Sequence, residues 1–381
     1  MVGRRVLAGA LAVAALVVAA PVRPAQATAL ECSPERGTQT FRGVPWAQQR
    51  IDIKSAWRLT RGEGVTVAVI DSGVELNHPQ LRVAGRADFS RTDDRDCSGH
   101  GTAVAGIIAA QYLKGNPFHG VAPAVRLLSL KHINGDKGDL AHLVEAIRYA
   151  ARIKADVINV SAEARDQPDL RAAIEYALSR DVVVVAAAGN VQGEDGTQQP
   201  AYPAAYEGVL SVGSVSPGGR ISAFSNTSSK VSVVAPGEDL TSTWPGRALH
   251  HKLPGTSFAA PYAAGVAALV RSRFPNLSQD QVRRRIEATA DGGIGDGSGN
   301  GMVNPLYAIT AVLPQNDVVV AKPPAVPLPE GVVTKVTPPD EQAITISLAV
   351  GGGALAVALG VVVGRLVVPM GRRRSWRAGR D

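Results

Sequence analysis

The chain has 381 residues, of which 40 are Lys or Arg and 33 are Asp or Glu, a formal net charge of +7, and two cysteines. The positive excess sits at the two ends: without the three arginines of residues 1–29, the six from Arg365 onward and Asp381, 31 basic residues face 32 acidic ones. A nucleic-acid surface needs a basic patch on the domain itself; this balance supports none, and no nucleic-acid partner is expected.

Met1-Val2-Gly3-Arg4-Arg5 is a basic start followed by an apolar run over 6–20, and Ala25-Gln26-Ala27 or Ala27-Thr28-Ala29 offers small residues for cleavage. This pattern predicts a secretory signal peptide over 1–29, the run being short for an anchor that stays in the membrane. Residues 30–55 form an N-terminal extension that carries Cys32 and is too short to build a core of its own. It is expected to wrap the domain permanently and not to act as a removable inhibitory prodomain. The domain itself is expected over 56–312, a length that suits one folding unit.

An apolar strand over 65–70 ends at Asp71-Ser72-Gly73, an acid at a strand end followed by a glycine turn. Ser98-Gly99-His100-Gly101 then opens a helix of small residues, and a His between two glycines lets another backbone approach closely. Four valines over 182–185 lead into Ala186-Ala187-Ala188-Gly189-Asn190, which sets an amide at a further strand end. Gly255-Thr256-Ser257 puts a hydroxyl at the start of a small-residue helix, where free N–H groups and the helix dipole favour developing negative charge. A nucleophile whose reaction passes through an oxyanion needs that setting. Taken singly, Ser257 reads as a helix cap and Asp71 as a turn residue; with His100 they read together as a triad. Further strands are expected at 125–130, 157–160, 182–186, 210–215 and 231–235.

The order Asp71, His100, Asn190, Ser257, each inside its own motif, resembles the subtilisin-like serine proteases over roughly residues 44–311. The resemblance implies an α/β fold, a subtilisin-like doubly wound parallel sheet with helices on both faces, here followed by one C-terminal transmembrane helix. It implies a serine endopeptidase in which Ser257 attacks the scissile carbonyl, His100 moves its proton and Asp71 orients the imidazole. Asn190 and the Ser257 backbone N–H are then the oxyanion donors. Secreted subtilisins follow a strand like Val157-Ile158-Asn159-Val160-Ser161 with Leu-Gly-Gly, whose bare backbone pairs with the substrate strand. Here Ala162-Glu163-Ala164 stands in that place. Ser161, Ala162 and Glu163 are therefore the expected substrate-binding rim, narrowed by side chains toward slow, selective cleavage.

The layout also resembles the mycosins, the membrane-anchored subtilases of actinobacterial type VII secretion systems. It runs from a leader through a Cys-bearing extension and Val44-Pro45-Trp46-Ala47-Gln48-Gln49-Arg50 to the catalytic domain, a Pro-rich spacer and a C-terminal helix. That resemblance implies protein or peptide substrates from the secretion system and a structural part in its membrane complex. A general cell-surface subtilase digesting environmental protein, and a scaffold with incidental catalysis, are the alternatives. The mycosins carry more cysteines and longer loops, so a second disulfide is absent here.

Cys32 and Cys97 would both be exported, where oxidation is permitted. One disulfide between them is expected, stapling the extension near the active-site rim, with two free thiols as the alternative. Asp93, Asp94, Asp96 and the Gly/Asp-rich stretch 291–300 offer oxygen ligands of the kind Ca²⁺ takes, but they match no ordered calcium loop. No metal or cofactor is expected, calcium being the one alternative. His78 reads as structural, and His119, His132, His142, His250 and His251 lack ligand-like spacing.

Beyond the domain, the Pro-rich linker over 313–342 favours extended polyproline geometry. Residues 343–364 carry no charge, and at ~1.5 Å per helical residue they suffice to cross a bilayer core of ~30 Å. The arginine-rich tail over 365–381 should stay in the cytoplasm. The expected location is the cell membrane, with a single C-terminal span and the catalytic domain on the extracytoplasmic side.

Overall fold

The computed structural model describes residues 32, 34–38, 43–135, 138–191, 198–293 and 295–313. The chain divides into two units, Met1–Asp317 and Val318–Asp381, and all described residues belong to the first. The expected signal peptide, nearly all of the linker, the apolar segment 343–364 and the basic tail lie outside the described residues. Among the described residues, no helix is long and apolar enough to cross a membrane.

Two short helices, α1 (Trp46–Ile51) and α2 (Ile53–Ala56), lead into a seven-stranded parallel sheet. Its strands are β1 (Thr66–Asp71), β2 (Val83–Asp88), β3 (Arg126–Lys131), β4 (Val157–Val160), β5 (Val183–Ala187), β6 (Leu210–Val215) and β7 (Val233–Pro236). They lie in the order β2-β3-β1-β4-β5-β6-β7. Every residue of β4 to β7 is buried, as a parallel sheet covered on both faces requires. The period-2 pleat of β1 sorts its side chains to two cores. Val67 and Val69 pack with α3 (His100–Ala109) and α6 (Thr256–Arg273), while Ala68 and Ile70 pack with α4 (Leu140–Arg152) and α5 (Pro168–Ser179).

The helices differ as their surroundings do. In α4 only the stripe Leu143, Ala146, Ile147, Ala150 and Ala151 is buried, and the Asp139 side chain caps its start by accepting from the Ala141 N–H at 2.8 Å. Helix α6 is buried on nearly every side, and its run of Ala and Gly lets it lie close over β4 to β7. Helices α7 (Gln279–Ala288) and α8 (Pro305–Thr310) complete the unit. Chain order moves from β1 toward β3 on one side and toward β4 on the other. The crevice outside the carboxyl ends at that reversal is where open α/β sheets place their sites.

The six expected strands all form, with shifts of one or two residues at their ends; the strand expected over 65–70 runs Thr66–Asp71 and so includes the acid. Three strands were not expected. The edge strand β2 alternates half-buried and exposed residues and has no continuous apolar run. The antiparallel hairpin of β8 (Leu240–Trp244) and β9 (Ala248–Leu253) includes His250, His251 and Lys252, whose polarity hides it from a hydrophobicity reading.

That hairpin carries the N-terminal extension. Thr38 and Leu249 exchange N–H···O bonds of 2.7 Å in both directions, and the Trp244 indole Nε1 donates to the Glu35 carbonyl at 2.6 Å. Cys32 and Cys97 form a disulfide, the pairing expected from the sequence, across a separation of 65 residues. Chain-entropy arguments assign a closure of this length ~4 kcal/mol as an upper figure.

Three histidines are core groups. His78 bonds the Ala248 carbonyl through Nε2 at 2.9 Å, His119 packs against the Trp57 ring at 4.6 Å, and His132 lies buried beyond β3. Burial pushes His119 and His132 down to about 4, and it lowers His78 as well. The unfolded chain therefore binds more protons below its ordinary histidine value of about 6.5, and stability falls as pH drops from there toward 4. His100, raised above its ordinary value, works in the opposite direction and offsets part of this. Denaturant midpoints measured between pH 7 and 4 should fall throughout that window, by on the order of 3 kcal/mol for each of His119 and His132. A flat profile would show that these imidazoles are not buried neutral.

Candidate active site

Asp71 ends the central strand β1 with its carboxylate almost wholly out of water. A buried carboxylate needs donors. Oδ1 accepts from the Ser72 N–H at 2.8 Å and lies 2.7 Å from Nδ1 of His100. His100 is the first residue of α3, and the glycines beside it are there for proximity. A Cβ on Gly99 would collide with the Trp244 ring, and one on Gly101 with the Gly73 carbonyl. On its other side, Nε2 of His100 lies 2.9 Å from Oγ of Ser257, and the Phe258 ring backs the imidazole at 4.8 Å. Burial pulls the His100 pKa down, but the Asp71 carboxylate, helped by Asp96, outweighs it and holds the imidazole above its ordinary value.

Ser257 is the second residue of α6, so its backbone N–H has no acceptor within the helix. The turn before it depends on Gly255, at φ 145° and ψ 147°, a conformation essentially confined to glycine. A Cβ there would also lie 2.9 Å from the Ser257 Oγ. Pro261, four residues further on, has no N–H to give to the Ser257 carbonyl. Ser161 supplies the missing donor: its Oγ reaches the Ser257 carbonyl at 2.7 Å and itself accepts from Asn159 Nδ2 at 2.9 Å.

Asn190 lies just past β5. Its Oδ1 accepts from both the backbone N–H of Thr256 at 3.0 Å and the Thr256 hydroxyl at 3.1 Å. Those two bonds fix the amide so that the donor end, Nδ2, is the end left for a ligand. The Asn190 backbone N–H donates to Oε2 of Glu163 at 3.2 Å.

Asp71, His100 and Ser257 are thus joined in one hydrogen-bonded chain, and Asn190 adjoins it through Thr256. The three expected rim residues part company. Ser161 serves Ser257, the Ala162 side chain packs against the α4–α5 core, and Glu163 alone turns to the Asn190 backbone.

Asp96 was read from the sequence only as one of three crowded acids. Its Oδ1 accepts from the Ser72 hydroxyl at 2.9 Å and the Gly99 N–H at 2.8 Å, and its Oδ2 from the Thr102 N–H at 2.8 Å and hydroxyl at 2.6 Å. It therefore ties the turn after β1 to the start of α3. Its neighbours are engaged elsewhere, Asp93 with Arg95 at 2.7 Å and Asp94 with Arg86 at 2.6 Å. Asp291 accepts from Asn304 Nδ2 at 2.7 Å. Lys131, buried at the end of β3, also went unread; its Nζ donates to the Arg95 carbonyl at 2.7 Å and to Asn134 Oδ1 at 2.8 Å, holding the loop that carries Cys97. Among the described residues, no group of three or more His, Cys, Asp or Glu side chains is placed to hold a metal ion.

Comparison with known proteins places this geometry in context. Residues 62–308 match the subtilase family. Mycosin-4 of Mycobacterium tuberculosis is 36% identical, over 94% of this chain and 89% of its own length. A solved serine protease, MycP1, described as an essential component of the type VII (ESX-1) secretion system, is similar at 32% identity and a TM-score of 0.65, over 74% of this chain and 95% of its own. MycP1 with its N-terminal propeptide removed is similar at 35% identity and a TM-score of 0.65, over 72% of this chain and 100% of its own.

The rate at which a fluorophosphonate modifies Ser257 should rise with pH as His100 loses its proton, with a midpoint above the ordinary histidine value of about 6.5. Asp96→Asn removes a negative charge that favours imidazolium, so the midpoint should move down. An unmoved midpoint would reduce Asp96 to a loop tether with no electrostatic influence on His100.

Proposed function

The chain belongs to the subtilase family, in its mycosin group, and on that premise we propose a membrane-anchored, extracytoplasmic serine endopeptidase that selectively cleaves type VII secretion substrates and helps stabilise the secretion complex. That it is a serine endopeptidase follows from the family and from the Asp71–His100–Ser257 chain of 2.7 and 2.9 Å, the observation that carries the reading.

The chemistry follows the geometry. Ser257 Oγ attacks the scissile carbonyl carbon as its proton passes to His100 Nε2. Asp71 accepts from Nδ1, which leaves Nε2 as the basic nitrogen and stabilises the imidazolium. The tetrahedral oxyanion accepts from Asn190 Nδ2 and from the Ser257 N–H at the positive end of α6. Collapse breaks the C–N bond, and His100 gives its proton to the leaving amine. Water activated by the same imidazole then hydrolyses the acyl-enzyme and restores the Ser257 hydroxyl.

The secretion-system role is supported by the likeness to MycP1 and Mycosin-4 over most of the chain. The membrane position is supported by the uncharged stretch 343–364 followed by six arginines. Selectivity is supported by the Glu163 side chain, which stands on a rim where a general protease presents bare backbone.

Asn190→Ala should lower kcat by ~10²–10³ with a much smaller change in KM, because its amide acts on charge that develops in the transition state. A raised KM with kcat unchanged would instead make it a binding residue. In cells, Ser257→Ala should stop processing of a secreted type VII substrate while the membrane complex still assembles. Rapid digestion of casein by the purified full-length chain would favour a general surface protease and overturn the selective reading.

A further inference from the structure

Phe258 packs on the ring that carries the positive charge of the reaction, and its aromatic character bears on that charge. The centroid of its ring lies 4.8 Å from that of the His100 imidazole, with the two planes inclined by 45°. The residues around it are small, Gly255-Thr256-Ser257 before and Ala259-Ala260 after, so a ring at this position departs from the local pattern. The ring is also held in place. Phe258 is buried in the core that α6 shares with α3, and its N–H donates to the Gly255 carbonyl at 3.0 Å. A Cβ on Gly255 would meet its Cδ2 at 3.7 Å. Since Phe258 follows Ser257 directly, the nucleophile and the ring that backs the base keep one position relative to each other.

Both imidazole nitrogens are engaged elsewhere, Nδ1 by Asp71 at 2.7 Å and Nε2 by Ser257 at 2.9 Å. Those two bonds fix an axis and leave the imidazole able to tilt about it, a freedom that a side chain packed on the ring limits. The electrical effect depends on what that side chain is. An aliphatic neighbour only takes water away from the imidazolium and so disfavours it. An aromatic neighbour takes water away too, but its face is partly negative and attracts a cation within about 6 Å of its centroid. The imidazolium formed when His100 takes the Ser257 proton lies inside that distance. The His100 side chain is 30% exposed in the free enzyme. A peptide seated over Ser257 removes much of that water, and fixed neighbours then act more strongly on the developing charge.

We propose that Phe258 is a positioning residue for the base: its ring holds the imidazole toward Ser257 and its electron-rich face stabilises the imidazolium form of His100. Asp71 is the counter-charge, and Phe258 is a second, neutral source of negative potential. An aliphatic residue in its place leaves the triad able to react but makes His100 a weaker base. The proposal rests on the endopeptidase reading and deepens the account of that same site.

The test replaces Phe258, in the full-length chain held in detergent, by 4-fluoro-, 3,5-difluoro- and pentafluorophenylalanine through amber suppression. The shape of the ring is nearly kept, while the negative charge of its face is withdrawn stepwise and finally reversed. The rate at which a small fluorophosphonate modifies Ser257, read by intact mass from about pH 5 to pH 9, gives the His100 midpoint of each form. That midpoint should fall along the series, by roughly 0.5–1 pH unit between the native and the pentafluoro ring. Phe258→Leu should lower it as well and also slow the plateau reached at high pH, because the tilt of the imidazole is no longer limited. The titratable groups facing His100 are Asp71 at the end of β1, Asp96 before α3 and His132 beyond β3. The series alters none of them, and His132, pushed down to about 4, lies below the window. A midpoint that stays in place or rises along the series overturns the proposal; with a slow Phe258→Leu plateau it would leave the ring a packing role alone. Wild-type plateau rates in the mono- and difluoro forms show that the fold is kept, so these two decide the matter even if the pentafluoro form does not react. Failure of the wild type itself to be modified at Ser257 removes the endopeptidase reading.

Discussion

Asp71 and Asp96 lie close together with little access to water, and the donors that two buried carboxylates require account for much of the site's architecture. Asp71 takes the Ser72 N–H and the His100 imidazole; Asp96 takes the Ser72 hydroxyl, the Gly99 N–H and both donors of Thr102. Satisfying them draws the turn after β1 onto the first turn of α3. His100 is therefore oriented by a network in which every member fixes another, and the charge that orients it also raises its affinity for a proton.

The nucleophile depends on a different demand. Placing a proline inside α6 deprives the Ser257 carbonyl of its helical donor, and a buried carbonyl left unpaired is costly. The hydroxyl of Ser161, at the end of β4, answers it. The same bond locks the segment at the end of β4 to the helix that presents the attacking oxygen. Rim and nucleophile thus hold a common position, and a side chain on that rim, such as Glu163, acts from a fixed place. The extension adds a third tie: it is disulfide-bonded to Cys97 and hydrogen-bonded to Trp244, whose indole packs on Gly99 just before α3.

The four motifs around Asp71, His100, Asn190 and Ser257 were legible in the sequence because each is local, a strand end or helix start marked by glycine. The buried parallel strands were legible for the same reason, each being a short apolar run. The strands that escaped lack a continuous apolar run: the edge strand β2, the buried β8 with Thr241-Ser242-Thr243 at its centre, and β9 with His250, His251 and Lys252. Asp96 was visible as an acid, but its task was hidden, because crowded carboxylates look alike until their donors are known. The tie of Ser161 to Ser257 is not legible in the sequence, since its partner stands 96 residues away and is a backbone atom that no side-chain pattern records.

By itself, the amino-acid sequence determined the reaction type and the strands of the parallel sheet, β2 excepted, and it carried the pairing of the two cysteines as an expectation. These depend on residue type and short-range spacing, which a linear chain carries in full. Only the tertiary structure decided that Asp96 organises the base, that Ser161 repairs the gap left by Pro261, and that Glu163 alone of the rim residues faces the Asn190 loop. Those assignments depend on which polar groups are left without partners once the sheet has closed, and that is a property of packing in three dimensions.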